Sequence, residues 1–159
     1  MRWFERAPRL SSSGQRMVKI ELFSQLTDRE LALVTSFVHW RELLAGEVIF
    51  DAGEEGQALY VIVSGQVAIS LPGCHDSPLA VLQSNDFFGE LGLLDDWPRS
   101  AQARAGAPTE LAVLFRGDFE RLMESHASIA AKITKQLAHH LGRRLRQMLA
   151  QSAERGSVQ

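Results

Sequence analysis

The sequence predicts a mainly β domain with flanking helices (α+β), and three observations carry that expectation. From Val38 to Phe115, short apolar runs alternate with turn residues at roughly 8–12-residue spacing, the pattern of a β sandwich or barrel. Helical periodicity brackets this region on both sides. A chain of 159 residues, 45% hydrophobic and 23% charged, suits one globular core and disfavours collagen-like, coiled-coil-only or wholly disordered chains.

Taken in order, residues 1–16 read as a flexible arm: polar, without periodicity, and Ser-rich at Ser11, Ser12 and Ser13. A short apolar turn follows at Ile20, Leu22, Phe23 and Leu26. Thr27-Asp28-Arg29-Glu30 matches a capping box, in which Thr27 accepts an amide hydrogen bond and Glu30 reaches back. The helix it opens turns Leu31, Leu33 and Val34 inward. The expected strands are Val38–Leu44, Val48–Phe50, Leu59–Val63, Val67–Leu71, Leu79–Leu82, Ala101–Ala105 and Leu111–Phe115. Beyond them, Phe119, Leu122 and Met123 mark a short helix, and a long one starts at Ser128 or Ile129 and reaches about Gln151. Its apolar positions Ile129, Ile133, Leu137, Leu141, Leu145 and Leu149 repeat at spacing four. About 22 helical residues span roughly 33 Å, more than a small sandwich covers, so part of the stripe is expected to meet a second copy as a homodimer. The domain is set at residues 17–151, with 152–159 as a tail.

Charge is unevenly spread. Residues 1–19 carry a net +4, residues 20–131 a net −11 and residues 132–159 a net +5. An acidic body repels polyanions, so nucleic acid is not an expected partner of it. The basic ends have three readings: contact with the acidic body, contact with a partner, or plain solvation. No apolar run approaches the roughly 18 residues of a membrane span, and the N-terminus lacks a secretory apolar core. Cys74 is the single cysteine, so a cytoplasmic, reduced protein without an intrachain disulfide or structural zinc is expected.

The chemistry concentrates between Phe87 and Ala103. Gly89 lets a ligand approach the backbone closely, and a helical turn opening after it offers free amides to an anion. Arg99 can grip two phosphate oxygens through its planar fork. Glu90, acceptor-only when ionised, suits a hydroxyl donor, and Ser100 adds one more hydrogen bond. A nucleoside 3′,5′-cyclic monophosphate offers that combination: one negative phosphodiester and a free 2′-hydroxyl. Glu90 and Arg99 at this spacing also suit an ordinary loop ion pair.

Phe88-Gly89-Glu90-Leu91-Gly92-Leu93-Leu94 and Pro98-Arg99-Ser100-Ala101-Gln102-Ala103 resemble the phosphate-binding cassette of the cyclic nucleotide-binding domains of the catabolite activator and protein kinase A regulatory-subunit superfamily. The segments Ala45–Glu54 and Leu59–Val67 resemble that family's turn-and-strand signature, and about four fifths of the chain is covered. The resemblance implies an eight-stranded antiparallel, jelly-roll-like β-roll between short N-terminal helices and a long C-terminal helix. It implies cyclic AMP or cyclic GMP as the ligand, with Glu90 on the ribose hydroxyl and Arg99 on the phosphate. Backbone at Phe88, Gly89, Leu91 and Ala101, with Ser100, would line the phosphate. The chain would be a sensor without catalysis or cofactor, signalling through its C-terminal helix to an unknown effector protein. Alternatives are the sensor half of a transcription regulator lacking its helix-turn-helix, or a non-binding fold used for dimerisation or docking.

Two departures matter. Where the activator branch places a Thr-Ser pair against the base, this chain has Arg144 and Leu145, so Arg143 or Arg144 is a candidate to stack on it. About ten residues follow the long helix, too few for a DNA-reading module, so no direct DNA binding is expected. Cys74-His75-Asp76 lacks further metal ligands. His139 and His140 are adjacent on a helix and point apart. His126 reads as a cap or surface residue, and Asp95-Asp96 as an exposed loop. Trp97 reads as an apolar cover for the cassette, and Met17, Met123 and Met148 as packing.

Overall fold

A computed structural model describes residues 12–157. Eight strands form two four-stranded antiparallel sheets. They are β1 (His39–Leu43), β2 (Val48–Phe50), β3 (Ala58–Ser64), β4 (Gln66–Ser70), β5 (Ala80–Gln83), β6 (Phe87–Phe88), β7 (Gln102–Ala105) and β8 (Thr109–Phe115). One sheet runs β1-β8-β3-β6 and the other β2-β7-β4-β5, closing the expected roll. Helices α1 (Ser12–Met17) and α2 (Asp28–Thr35) precede the strands, and α3 (Arg116–Ser125) and α4 (Ala127–Gly156) follow.

The strands β3 and β8 explain the near-continuous apolar runs in the sequence. Leu111 and Val113 of β8, with Ala58 and Ile62 of β3, face the interior of the roll. Their neighbours Ala112, Leu114, Leu59 and Val61 face the helices, where they meet Leu22, Phe119, Leu122, Ile133 and Leu137. Both faces of these two central strands are therefore buried, which removes the alternation that a half-exposed strand would show.

The capping box of α2 forms as expected. Thr27 Oγ1 accepts from the Glu30 amide at 3.2 Å, and the Thr27 amide donates to Glu30 Oε2 at 2.8 Å. Helix α1 occupies part of the stretch read as an arm, and residues 1–11 of that stretch lie outside the described residues. The helix is held because Met17 is fully buried in the helix-side core. Arg16 also donates to Glu110 at 2.8 Å and lies 5.4 Å from the Trp40 ring centroid. This basic end contacts the acidic body, the first of the three readings open to it. Helix α4 is longer than expected and runs through residues 152–156, which had read as tail. Of its apolar stripe, Ile129, Ile133 and Leu137 are buried, whereas Leu145, Met148 and Leu149 are exposed. Met123 and Met148, read as packing, are on the surface.

Candidate functional site

The cassette begins where β6 ends. Gly89 has φ 71° and ψ 16°, a left-handed conformation that turns the chain sharply into a 3₁₀ turn over Glu90–Leu93. A Cβ at Gly89 would lie 2.8 Å from Arg99 Nη1 and 3.2 Å from the Ala58 carbonyl oxygen, so a side chain has no room there. Gly92 is similarly crowded, at 3.1 Å from the same two groups. Two glycines thus make the space in which Arg99 sits.

Arg99 reaches that space from the opposite end of the loop. Its backbone is clamped by the turn after β2: the Arg99 amide donates to Glu54 O, and the Gly53 amide donates to Arg99 O, both at 2.7 Å. Its guanidinium donates to Gly89 O at 2.9 Å and to Ala58 O at 2.7 Å. It lies over an aromatic layer inside the roll, 4.3 Å from the Phe50 centroid and 5.8 Å from that of Tyr60. Tyr60 in turn stacks on Phe88, centroids 5.2 Å apart. Burial holds this guanidinium below the ordinary arginine range, while nearby Tyr60 and Glu90 pull the other way. Arg99 Nε is buried and has no hydrogen-bond partner among the described residues. The guanidinium thus bonds neutral main-chain carbonyls and forms no ion pair among the described residues.

Glu90 does not pair with Arg99, so the loop ion pair that their spacing allowed is not formed. It points toward α4 instead. The Glu90 side chain is buried, and Oε1 accepts from Arg144 Nη1 at 2.6 Å. His140 Nε2 stands 4.0 Å from the same oxygen, its ring packed against Phe87 with centroids 4.4 Å apart. Burial lowers the His140 pKa below the usual histidine value, with Glu90 acting in the opposite direction. Of the two candidate base-stacking residues, Arg144 is therefore on Glu90, and Arg143 pairs with Glu21.

The remaining expected cassette residues divide by position. Phe88 is buried in the aromatic layer, Leu91 and Ser100 are exposed, and Ala101 is half-buried at the entrance to β7. Trp97 covers nothing: it is 77% exposed, because the backbone bridge between Glu55 and Pro98 fixes the loop with its indole outward.

Sequence reasoning missed Arg116. At the first position of α3, its Nε donates to Gly92 O at 2.8 Å, and Nη2 donates to Gly56 O at 2.6 Å and to Asp95 O. Its Nη1 pairs with Asp96. One side chain thus ties three segments to the cassette, including the Asp95-Asp96 loop that read as plain exposed chain. Nothing in the pattern around Arg116 signals this, because all its partners lie 20 or more residues away. His140 did leave a signal: it is four residues before Arg144, on the same helix face.

A groove of about 370 Å³ lies along α4, lined by Glu21, Ala138, His139, Gly142, Arg143 and Arg146, and no cassette residue contributes to it. No cluster of three or more metal-ligating side chains occurs among the described residues, and no helix there is long and apolar enough to cross a membrane.

Comparison with known proteins agrees with this geometry. The chain is 39% identical over 122 residues to the cyclic AMP receptor protein of Thermus thermophilus, covering 76% of this chain and 56% of that protein. It is 35% identical over 105 residues to a cAMP-dependent protein kinase regulatory subunit of Emericella nidulans, covering 66% of this chain and 25% of that one. Among solved structures, the N-terminal domain of a transcriptional regulator from Streptomyces coelicolor superposes with a TM-score of 0.72 at 27% identity, covering 84% of this chain and 94% of that one. The chain spans about half and a quarter of the length of those two curated relatives. Residues 40–126, from the first strand of the roll through the Arg99 cradle to the end of α3, match the family model of the cyclic nucleotide-binding domain, and the chain belongs to that family.

Proposed function

We propose that the protein is a sensor for a cyclic mononucleotide, cyclic AMP or cyclic GMP, and performs no chemistry on it. The observation that carries this reading is the half-buried Arg99 guanidinium, which donates to main-chain carbonyls and keeps its buried Nε without a hydrogen-bond partner among the described residues. A partly desolvated cation that bonds neutral carbonyls and forms no ion pair there gains from an arriving anion. One phosphodiester charge suits one arginine. Glu90 takes the ribose 2′-hydroxyl, and Phe88, Gly89, Leu91, Ser100 and Ala101 line the phosphate between them. Of the two α4 candidates for the base, Arg143 is the one at hand, since Arg144 is held by Glu90.

Binding is read out by α4. A ligand shifts a helix only by the difference in its affinity for two helix positions, and Glu90 supplies that difference because α4 touches it directly. The exposed Leu145, Met148 and Leu149 form the surface for a second copy of the chain, giving a homodimer whose response reaches an effector protein. A second reading, the same module as the sensor part of a transcription regulator, is favoured by its likeness to the Streptomyces domain.

Calorimetric titration with cyclic AMP and cyclic GMP tests the sensor reading. Saturable one-site binding of at least one of them is expected. No heat and no thermal shift with either at millimolar concentration overturns it.

A further inference from the structure

We infer that Arg144 is an internal competitor for the nucleotide, occupying the carboxylate that the ribose hydroxyl needs. This rests on the assignment of Glu90 to that hydroxyl and adds a residue that opposes binding.

The argument starts from burial. Glu90 is 3% exposed, so nothing from solvent reaches its carboxylate with the surroundings as they stand. Two side chains of α4 face it, Arg144 at 2.6 Å and His140 at 4.0 Å. They differ in what they can do. His140 is wedged against Phe87 and mostly buried. The Arg144 side chain is 56% exposed, so its guanidinium can swing into water by rotating its own stem. Exchange at Glu90 therefore runs through Arg144: the guanidinium leaves and the hydroxyl enters.

The exchange is unequal. The carboxylate gives up an ion pair, in which both partners are charged, and receives a hydrogen bond from a hydroxyl, in which only the acceptor is, so the Coulomb attraction of the guanidinium is lost. Nucleotide affinity is therefore lower than the cassette alone would give. The released Arg144 is also the difference between the two states of α4 that a sensor requires. With Arg144 on Glu90 the helix is tied to the cassette; with the hydroxyl on Glu90 that tie is gone.

The test is calorimetric titration of the full chain with cyclic AMP and 2′-deoxy cyclic AMP, and with cyclic GMP and its 2′-deoxy analogue. The proteins are wild type, Arg144→Met and Arg144→Lys, with thermal melting of each variant to verify folding. Lys132→Met, which removes a cation of the same helix that pairs with Glu30, controls for net charge. Arg144→Met is expected to bind about twofold to fivefold more tightly than wild type, the range of a partly exposed ion pair. It should also gain more for the ribo than for the 2′-deoxy nucleotide, because the freed carboxylate rewards the hydroxyl. Arg144→Lys should stay between the two. Equal or weaker binding by a folded Arg144→Met overturns the competition and leaves the sensor reading intact, since Arg144 would then be holding Glu90 in place for the ligand. Equal tightening by Lys132→Met overturns it too. Absence of binding by wild type and every variant overturns the sensor reading itself.

Discussion

At the Arg99 end of the cassette every partner comes from the roll, whereas at the Glu90 end the partners come from α4. The guanidinium of Arg99 rests on Phe50 and Tyr60 and bonds the Gly89 and Ala58 carbonyls, all fixed by strands or by the turn they lead into. The carboxylate of Glu90, one residue from Gly89, meets Arg144 and His140 on helix α4, outside the roll. Two neighbouring positions of one loop are thus wired to the sheets and to the long helix. The contrast teaches how the proposed readout would divide its labour: a fixed end that sets where the anion sits, and a movable end that reports its arrival.

The largest expected effect lies at the fixed end. Arg99→Ala should weaken nucleotide binding by about 2–4 kcal/mol, the loss of a charge-assisted bidentate contact. Thermal stability should change much less, because the variant also removes a buried unpartnered Nε. Affinity within twofold of wild type would mean that the anion is held elsewhere, and the division between the ends would fail.

Gly89→Ala should have a smaller effect, about 1–3 kcal/mol, spread over stability and binding. The new methyl meets Arg99 Nη1 and the Ala58 carbonyl at a φ of 71°. Because Gly89 joins the two ends, the variant should displace Arg99 while leaving the Arg144–Glu90 pair formed. Chemical shifts of the Arg99 and Arg144 guanidinium groups measure the two separately. Equal perturbation of both would join what the structure separates.

The smallest effect is a pH dependence at the movable end. Burial depresses the His140 pKa in the folded chain, so the unfolded chain, near 6.5, takes up the proton first. Stability from this group is complete above pH 6.5 and declines as pH falls from there through the lower folded value. Glu30 and Glu110, also depressed, lose their contributions only below about 4.5. Melting temperature should therefore drop between pH 7 and pH 5.5, and His140→Gln should flatten that slope. An unchanged slope would detach His140 from the movable end.

Much of this architecture was legible in the sequence, for reasons that differ by element. The strands β3 and β8 stood out because burial on both faces demands unbroken apolar runs. The two-residue β6 showed only as a strand end before Gly89, since Phe87 and Phe88 carry no period and are defined as a strand by pairing with Tyr60 and Val61. Gly89, Glu90 and Arg99 were found individually because their chemistry is local. The partner of Glu90 was not, and the reason is helical geometry. Residues at spacing four drift about 40° per step, so Leu145 lies roughly 120° around the helix from Ile133, whereas Arg144 lies within about 20° of it. Following the apolar stripe leads away from the roll just where the inward face becomes His140 and Arg144. Arg116 escaped entirely, because its position matters only once the end of β8 is brought beside Gly92.

Helix α4 finally has a mechanical consequence. Its last buried residue is Leu137 and its last tie to the cassette is Arg144 on Glu90, yet it continues to Gly156, so about 18 Å of rod project past Arg144. Pivoting about Leu137 by about 10° would carry the far tip through roughly 5 Å, about one helical pitch, and Arg144 through roughly 2 Å. In the proposed readout the helix would thus act as a lever, its fulcrum at Leu137 and its load at the far tip, with the drive applied two turns from the fulcrum. A rearrangement the size of one side chain at Glu90 would then be magnified into a displacement as large as a residue.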